Sequence, residues 1–420
     1  MNVSLLIDRP LRLHPVAVLA GLFVISRGVM LAGMTVGEHG NLLEALRAAG
    51  NSWDSHWYEI VVTSWYSRHG PQGGFYPGYP LLTALFYEPL KTIAHWLDPA
   101  YLPSPPLTPA SPMGRDPLLV ASLLLAANLS LVVALVALWK LYRPELGAGV
   151  TLLGCALLLT APSALFLSTG YAESTFIAAS ALAFCFAQRG RWPLAGLAGA
   201  AACTTRLAGA FLVVAFLIIW LQGPRPRPLI PSTSKDFVGA PPLGPALLGA
   251  AVLLAGVAAF PTYTWAAFGD PLLYEHLQAL NWGHRAVNPL DTYRTILRRL
   301  RWGLLAELRI RPSPETAIGP RVQIVDGLMT IWATCCAALG WLRLPLAQVV
   351  WIAAMLALPL PTGGNGYAMN RYLLEAWPAF FLTAWWLRRH RWLAAAVMVA
   401  GLAAMFLFAR DDVGGRTYVG

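Results

Sequence analysis

Residues 193–220 read PLAGLAGAAACTTRLAGAFLVVAFLIIW. The run is apolar throughout except for Thr204, Thr205 and Arg206 near its middle. It exceeds the roughly 20 residues that one helix needs to cross a bilayer. An arginine inside a membrane domain is costly and implies a partner or a polar pathway. The stretch therefore predicts two short helices that meet near Arg206, inside a bundle of membrane helices.

The rest of the chain agrees. Of 420 residues, 57% are hydrophobic and 12% charged, against about 25% charged in a soluble domain. Further apolar runs cover 13–36, 118–139, 150–167, 171–186, 247–267, 326–341, 345–360, 373–387 and 392–408. With 193–220 split, this predicts about eleven crossings. A chain in lipid must satisfy its own backbone hydrogen bonds, so the expectation is an all-α polytopic membrane protein. The runs do not alternate as barrel strands would. No internal repeat is visible, and 1–420 reads as one domain.

Charge sets the topology. Lys and Arg are favoured on the cytoplasmic side of membrane helices. Arg9 and Arg12 precede the first run, which is longer than a signal-peptide core of about 7–15 residues and reads as an uncleaved helix with its N-terminus inside. Lys140, Arg143, Arg189, Arg191, Arg225, Arg227, Lys235, Arg343, Arg388, Arg389 and Arg391 then fall inside. The net charge of +10 is accounted for by this anchoring against anionic lipid rather than by nucleic acid. The Arg-rich segment 285–321 is the exception and falls outside. The helical stretch 79–97 carries Glu88, Pro89 and Lys91 in its middle; it is expected to lie at the outer interface rather than span. The first external loop then covers 37–116, proline-rich from 98 to 117. A cytoplasmic linker covers 223–242, and a second external loop covers 268–325. Cys155, Cys185, Cys203, Cys335 and Cys336 all lie in apolar runs without metal-type spacing, so no metal or disulfide framework is expected.

The first loop holds the chemistry: Trp53-Asp54-Ser55-His56-Trp57-Tyr58, then Gly74-Phe75-Tyr76-Pro77-Gly78-Tyr79-Pro80. If the first piece is helical, Trp53 and Trp57 share one face, as do Asp54 and Tyr58. A carboxylate beside aromatic rings suits a general base acting on an acceptor hydroxyl, with the rings against apolar sugar faces. The same pattern also suits a helix cap within an aromatic belt. Glu173, after Tyr171 at a short external turn, reads either as a helix-start carboxylate or as a group facing a cavity. Arg206 and Arg371, the latter between Asn370 and Tyr372 after a glycine-rich turn, are candidate phosphate ligands, because guanidinium binds phosphate bidentately. Snorkelling to the interface is the plainer role for Arg371. His56, His276 and His284 form no HExxH pair, and no metal cofactor is expected.

The string WDSHWYEI followed by GGFYPGYPLL resembles the glycosylphosphatidylinositol mannosyltransferase II (PIG-V) family, as a prokaryotic member, within the C superfamily of glycosyltransferases (GT-C). APSALFLSTGYAES, RWPLAGLAGAAACTTRLAG, FGDPLLYEHLQALNW and NRYLLEAWPAF agree in order, so the resemblance covers about residues 15 to 390. It implies a GT-C-like bundle whose long first external loop bears juxtamembrane helices. It implies a polyprenyl-phosphate-linked sugar donor, mannose by the family's name, and an active site facing away from the cytoplasm. It implies Asp54 as the superfamily's first-loop acidic residue. The chemistry needs a base for the acceptor hydroxyl, which Asp54 could supply, and a cation for the departing phosphate, which Arg206 or Arg371 could supply; Trp53, Trp57, Tyr58, Tyr76, Tyr171, Glu173 and Tyr372 are the candidate substrate-binding residues. The acceptor could be a glycolipid, a glycan or a protein. Many superfamily members pair two acids in this loop; here Ser55 follows Asp54. A transporter or flippase of lipid-linked sugars, which would also need a polar membrane cavity, is the main competing expectation. A non-catalytic scaffold would leave Arg206 without a reason.

Overall fold

The computed structural model describes residues 14–50, 54–100, 116–223, 243–314, 318–362 and 368–413. Among them the chain forms sixteen helices and no strand. Helix α1 (Pro15–Gly37) starts on the His14 side chain, which accepts the Val16 amide, with Pro15 in the first turn where its missing N–H costs nothing. Three helices follow before the next long one: α2 (Leu42–Gly50), α3 (Asp54–Ser64) and α4 (Gly78–Leu97). The proline-rich stretch 98–117 and the linker 223–242 lie largely outside the described residues.

Helix α5 (Pro117–Leu159) consists of two helices that meet at Gly147, in line with the two runs, 118–139 and 150–167, that the sequence separates. It is capped by Asp116, whose side chain accepts the Leu118 amide. The residues between the runs remain helical apart from Gly147, at φ 75°, where the axis breaks. Only glycine holds that backbone angle without strain. The second run then ends early, and residues 164–167 form a short 3-10 turn. Arg27, buried in α1, donates to the Leu159 and Ala164 carbonyls at 3.2 and 2.8 Å and to Ser168 Oγ at 2.8 Å. Leu159 ends α5, where carbonyls lack helical partners, and a cation there also suits the helix dipole.

Helices α6 (Glu173–Ala187) and α7 (Trp192–Thr205) follow. The expected break at Arg206 is present. Arg206 has extended backbone, φ −154° and ψ 144°, residues 207–211 form a 3-10 turn, and α8 (Leu212–Gln222) resumes. Next come α9 (Leu243–Phe268), α10 (Leu273–Trp282) and α11 (Pro289–Glu307). The series closes with α12 (Pro320–Gly340), α13 (Leu346–Ala357), the single turn α14 (Met369–Tyr372), α15 (Pro378–Leu387) and α16 (Arg391–Val413). The main core lies between α1, α5, α6, α7, α12, α13, α15 and α16, with Trp192, Trp351 and Trp377 fully buried.

Among the described residues, five helices are long and apolar enough to cross a membrane: α1, α5, α9, α12 and α16. Residues 173–187, 207–222, 346–357 and 378–387 add shorter apolar helices. The α4 helix has 20 residues but is not among the five. The chain is an integral membrane protein by this helix content.

Candidate active site

Small residues let both halves of the first-loop motif pack closely against the rest of the bundle. A Cβ on Gly78 would sit 2.7 Å from the Thr204 carbonyl, so the start of α4 lies directly on the break after α7. Gly170 packs against the Gly50 carbonyl and the Ser55 side chain, and its amide donates to Ala49 O at 2.8 Å. Hydrogen bonds fix the rest. Tyr79 Oη donates to Leu123 O at 2.8 Å, Tyr66 Oη to Phe75 O at 2.9 Å, and Gln278 Nε2 to Gly74 O at 2.7 Å. Tyr58 meets Phe75 and Tyr79 edge to face at 5.3 and 5.1 Å. The start of α3 is thus held against α4, α5 and α10.

A cavity of about 720 Å³ opens at this junction, within the usual size range of a small-molecule site. Of the residues singled out by sequence, Asp54, Tyr58, Tyr76, Tyr171, Arg206, Arg371 and Tyr372 line it. Glu173 lies directly behind this wall, fully buried. Trp57 is part of the supporting layer, stacked on Phe75 at 6.3 Å and edge-on to Trp282 at 6.0 Å. Trp53 falls outside the described residues.

Five charged groups form one cluster on the cavity wall. Arg371 Nη1 lies 2.5 Å from Asp54 Oδ2, and Arg371 Nε lies 3.1 Å from Glu173 Oε1. Arg206 Nη2 reaches the same Glu173 oxygen at 2.5 Å, and its Nε lies 2.9 Å from Glu375 Oε1. The two Nε contacts are ion pairs without hydrogen-bond alignment. The Arg371 guanidinium also sits over the rings of Tyr171 and Tyr372, at 5.1 and 5.3 Å, and Arg206 lies over Tyr372 at 5.5 Å. Such faces attract cations. Neither arginine snorkels: each is held inside the protein by carboxylates.

Arg371 is positioned from behind. Asp326 on α12 accepts both the Asn370 amide, at 2.7 Å, and Asn370 Nδ2, at 2.6 Å. Ser163 donates to the Asn370 carbonyl at 2.8 Å. Ala368, with φ 63°, starts the turn in left-handed backbone. The glycine-rich residues 363–367 lie outside the described set.

The sequence reading passes over Glu375 and Asp326, which it places at the starts of apolar runs. A signal existed: each is a lone acid inside an otherwise apolar stretch, which is costly unless paired. It also passes over the second-loop wall of Tyr274, Glu275, Gln278 and Trp282. His284 lines the cavity too, and burial pushes its imidazole below the ordinary range while Asp54 opposes the shift. Burial holds the Tyr58, Tyr76 and Tyr274 phenols well above theirs. All three remain O–H donors at neutral pH, beside a mostly neutral imidazole.

The arrangement can bind a ligand with an apolar or ring-shaped part against the aromatic wall and an anionic part at Arg371. It offers one partly exposed carboxylate, Asp54, within contact of that anion site. No protein-family model matches this chain, and no curated protein matches it.

Proposed function

We propose that this protein is a membrane glycosyltransferase that moves a hexose, mannose on the family resemblance, from a polyprenyl-phosphate donor to an acceptor hydroxyl. The observation that carries the reading is the contact between Asp54 and Arg371 on the wall of an aromatic-lined cavity. A transferase of this kind needs a base for the acceptor and a cation for the departing phosphate within one site. A bundle of about eleven crossings with the cavity on the non-cytoplasmic face, in a bacterial plasma membrane, fits the charge distribution.

In the proposed step the acceptor oxygen attacks the anomeric carbon from the face opposite the phosphate. The new glycosidic bond forms as the bond from that carbon to the phosphate oxygen breaks. The electron pair leaves with the phosphate, next to Arg371, and the acceptor proton passes to Asp54. Single displacement inverts the anomeric centre, as in inverting glycosidases. Arg206 sits between Glu173 and Glu375, both buried. It holds the cluster's charge and contributes to the phosphate field from the cavity wall. Tyr58, Tyr76, Tyr171 and Tyr372 form walls for the sugar, with Glu173 fixing both arginines.

The test is purified protein in proteoliposomes with a radiolabelled polyprenyl-phosphate hexose and a membrane extract as acceptor source. Label appearing in a glycosidic product supports the reading. Label that crosses the bilayer still attached to its lipid would make the protein a transporter of lipid-linked sugars.

A further inference from the structure

The charged cluster contains three carboxylates, Asp54, Glu173 and Glu375, and two guanidiniums, Arg206 and Arg371. A phosphodiester donor brings one more anion to Arg371, whose Nη1 already faces Asp54. Burial strengthens the repulsion between the two anions, because water screens it less. One of the groups at Arg371 must give way.

The contacts identify which group gives way. Glu173 has no exposed side-chain surface and Glu375 has 3%. Asp54 is 22% exposed and lines the cavity. Arg206 is matched by two buried acids. Arg371 is matched at Nε by one buried acid, and its Nη1 is covered by Asp54. Arg371 cannot follow an incoming anion easily. It is held by Glu173, by the rings of Tyr171 and Tyr372, and by a turn whose Asn370 is fixed on Asp326. A rotamer change at Asp54 breaks one ion pair and leaves all of those in place.

We propose that Asp54 and the donor phosphate compete for Arg371, so that the empty site keeps its base masked and the donor itself releases it. This rests on the polyprenyl-phosphate reading above. It goes beyond that reading by fixing an order of events. The donor binds first and displaces the Asp54 carboxylate toward the cavity. Freed from its guanidinium, the carboxylate can take the acceptor proton. After transfer Asp54 carries that proton and no longer competes, so the lipid phosphate stays on Arg371. Loss of the proton to solvent through the open cavity restores the carboxylate, which displaces the spent lipid phosphate. The base thereby gates both substrate entry and product release.

Binding measurements test this without turnover. The probe is farnesyl phosphate, a short-chain stand-in for the leaving lipid phosphate, titrated calorimetrically into the purified full-length protein. Removing the competitor in Asp54→Asn or Asp54→Ser should tighten binding about tenfold or more, the factor expected when one charge-assisted contact no longer has to be displaced. Arg371→Ala should weaken it by a similar factor. In an Arg371→Ala background the Asp54 substitutions should have no further effect, because the group they compete for is gone. If both Asp54 variants bind no more tightly than wild type while Arg371→Ala loses binding, the phosphate reaches Arg371 without displacing Asp54 and the gate is wrong. If the tightening persists in the Arg371→Ala background, Asp54 acts as a general negative field, and the gate is equally wrong. If wild type binds farnesyl phosphate no better than farnesol, the lipid-phosphate reading itself falls.

Discussion

Glu173 Oε1 is shared by both arginines of the cavity wall, 2.5 Å from Arg206 Nη2 and 3.1 Å from Arg371 Nε. One buried oxygen therefore links two chain breaks that lie far apart in sequence. Removing one partner from a buried ion pair typically costs about 3–5 kcal/mol, because the other charge stays behind unpaired. Glu173→Gln keeps the side-chain shape and removes the charge. It should lower the melting temperature in detergent clearly, and Arg206→Ala, which strands Glu375 and leaves Glu173 with Arg371 alone, should lower it at least as much. A Glu173→Gln protein that melts like wild type would show that the shared oxygen holds nothing together.

The break at Arg206 was legible because an arginine between apolar flanks leaves few alternatives. Asp54, Arg371, Tyr58 and Tyr76 could be nominated for a similar reason: each stands in a short polar or aromatic cluster against an apolar background. What sequence could not supply was pairing. Nothing local says that Glu173, at the head of α6, meets Arg206 and Arg371, since ion pairs carry no periodicity. Glu375 and Asp326 were absorbed into apolar runs because run-based reading tolerates one acid at a helix start. The separation of the runs 118–139 and 150–167 was legible, and the chain breaks between them at Gly147. Lys140 to Gly149 looks like a polar loop, yet its residues keep helical turns up to the break at Gly147.

Asp326 should act on donor binding through Arg371 without touching the donor. Its Oδ1 holds the Asn370 amide at 2.7 Å and Nδ2 at 2.6 Å, one residue before Arg371. Hydrogen bonds to a charged group are worth about 1.5–3 kcal/mol each. Asp326→Leu should raise the donor KM roughly tenfold or more on that scale. Asp326→Asn retains an acceptor oxygen and should recover most of the loss. If Asn rescues nothing and Leu changes only thermal stability, Asp326 is a fold residue alone.

His284 gives a pH signature. Burial disfavours its protonated form, against the opposing pull of Asp54, so its folded value lies below the ordinary one. The unfolded chain then takes up a proton at higher pH than the folded one. Stability is complete above about pH 6.5, the ordinary histidine value, and falls as the pH drops through the window below it. His284→Gln should flatten that part of the stability profile. An unchanged acid slope in the variant would assign the loss to other groups.

Topology is checked by accessibility. His69 is exposed in the segment between α3 and α4, which the charge distribution puts outside the cell. In a background with Cys335 replaced by alanine, His69→Cys should react with a membrane-impermeant maleimide on intact cells. Labelling that appears only after lysis would invert the scheme and put the cavity on the cytoplasmic side.

Asp54→Asn separates the catalytic from the structural role most sharply, because the two make opposite claims. Asp54 is the first described residue of α3 and an acid in its first turn. If it serves only there, its contribution to the helix dipole is about 0.3–1 kcal/mol, and losing it should leave turnover nearly intact. If it is the base, the asparagine variant keeps the shape but cannot take the acceptor proton. Transfer should then fall by about 10²–10⁴-fold, the usual contribution of a positioned base. The competition for Arg371 adds a second sign. The same variant should hold farnesyl phosphate more tightly while turning over more slowly, so affinity and rate move in opposite directions. A misfolded protein loses both, and a helix-start residue alters neither by much. Measuring rate and affinity on one monodisperse preparation therefore decides the role, and near-wild-type turnover would move the search for the base to Glu275, a second-loop acid on the cavity wall.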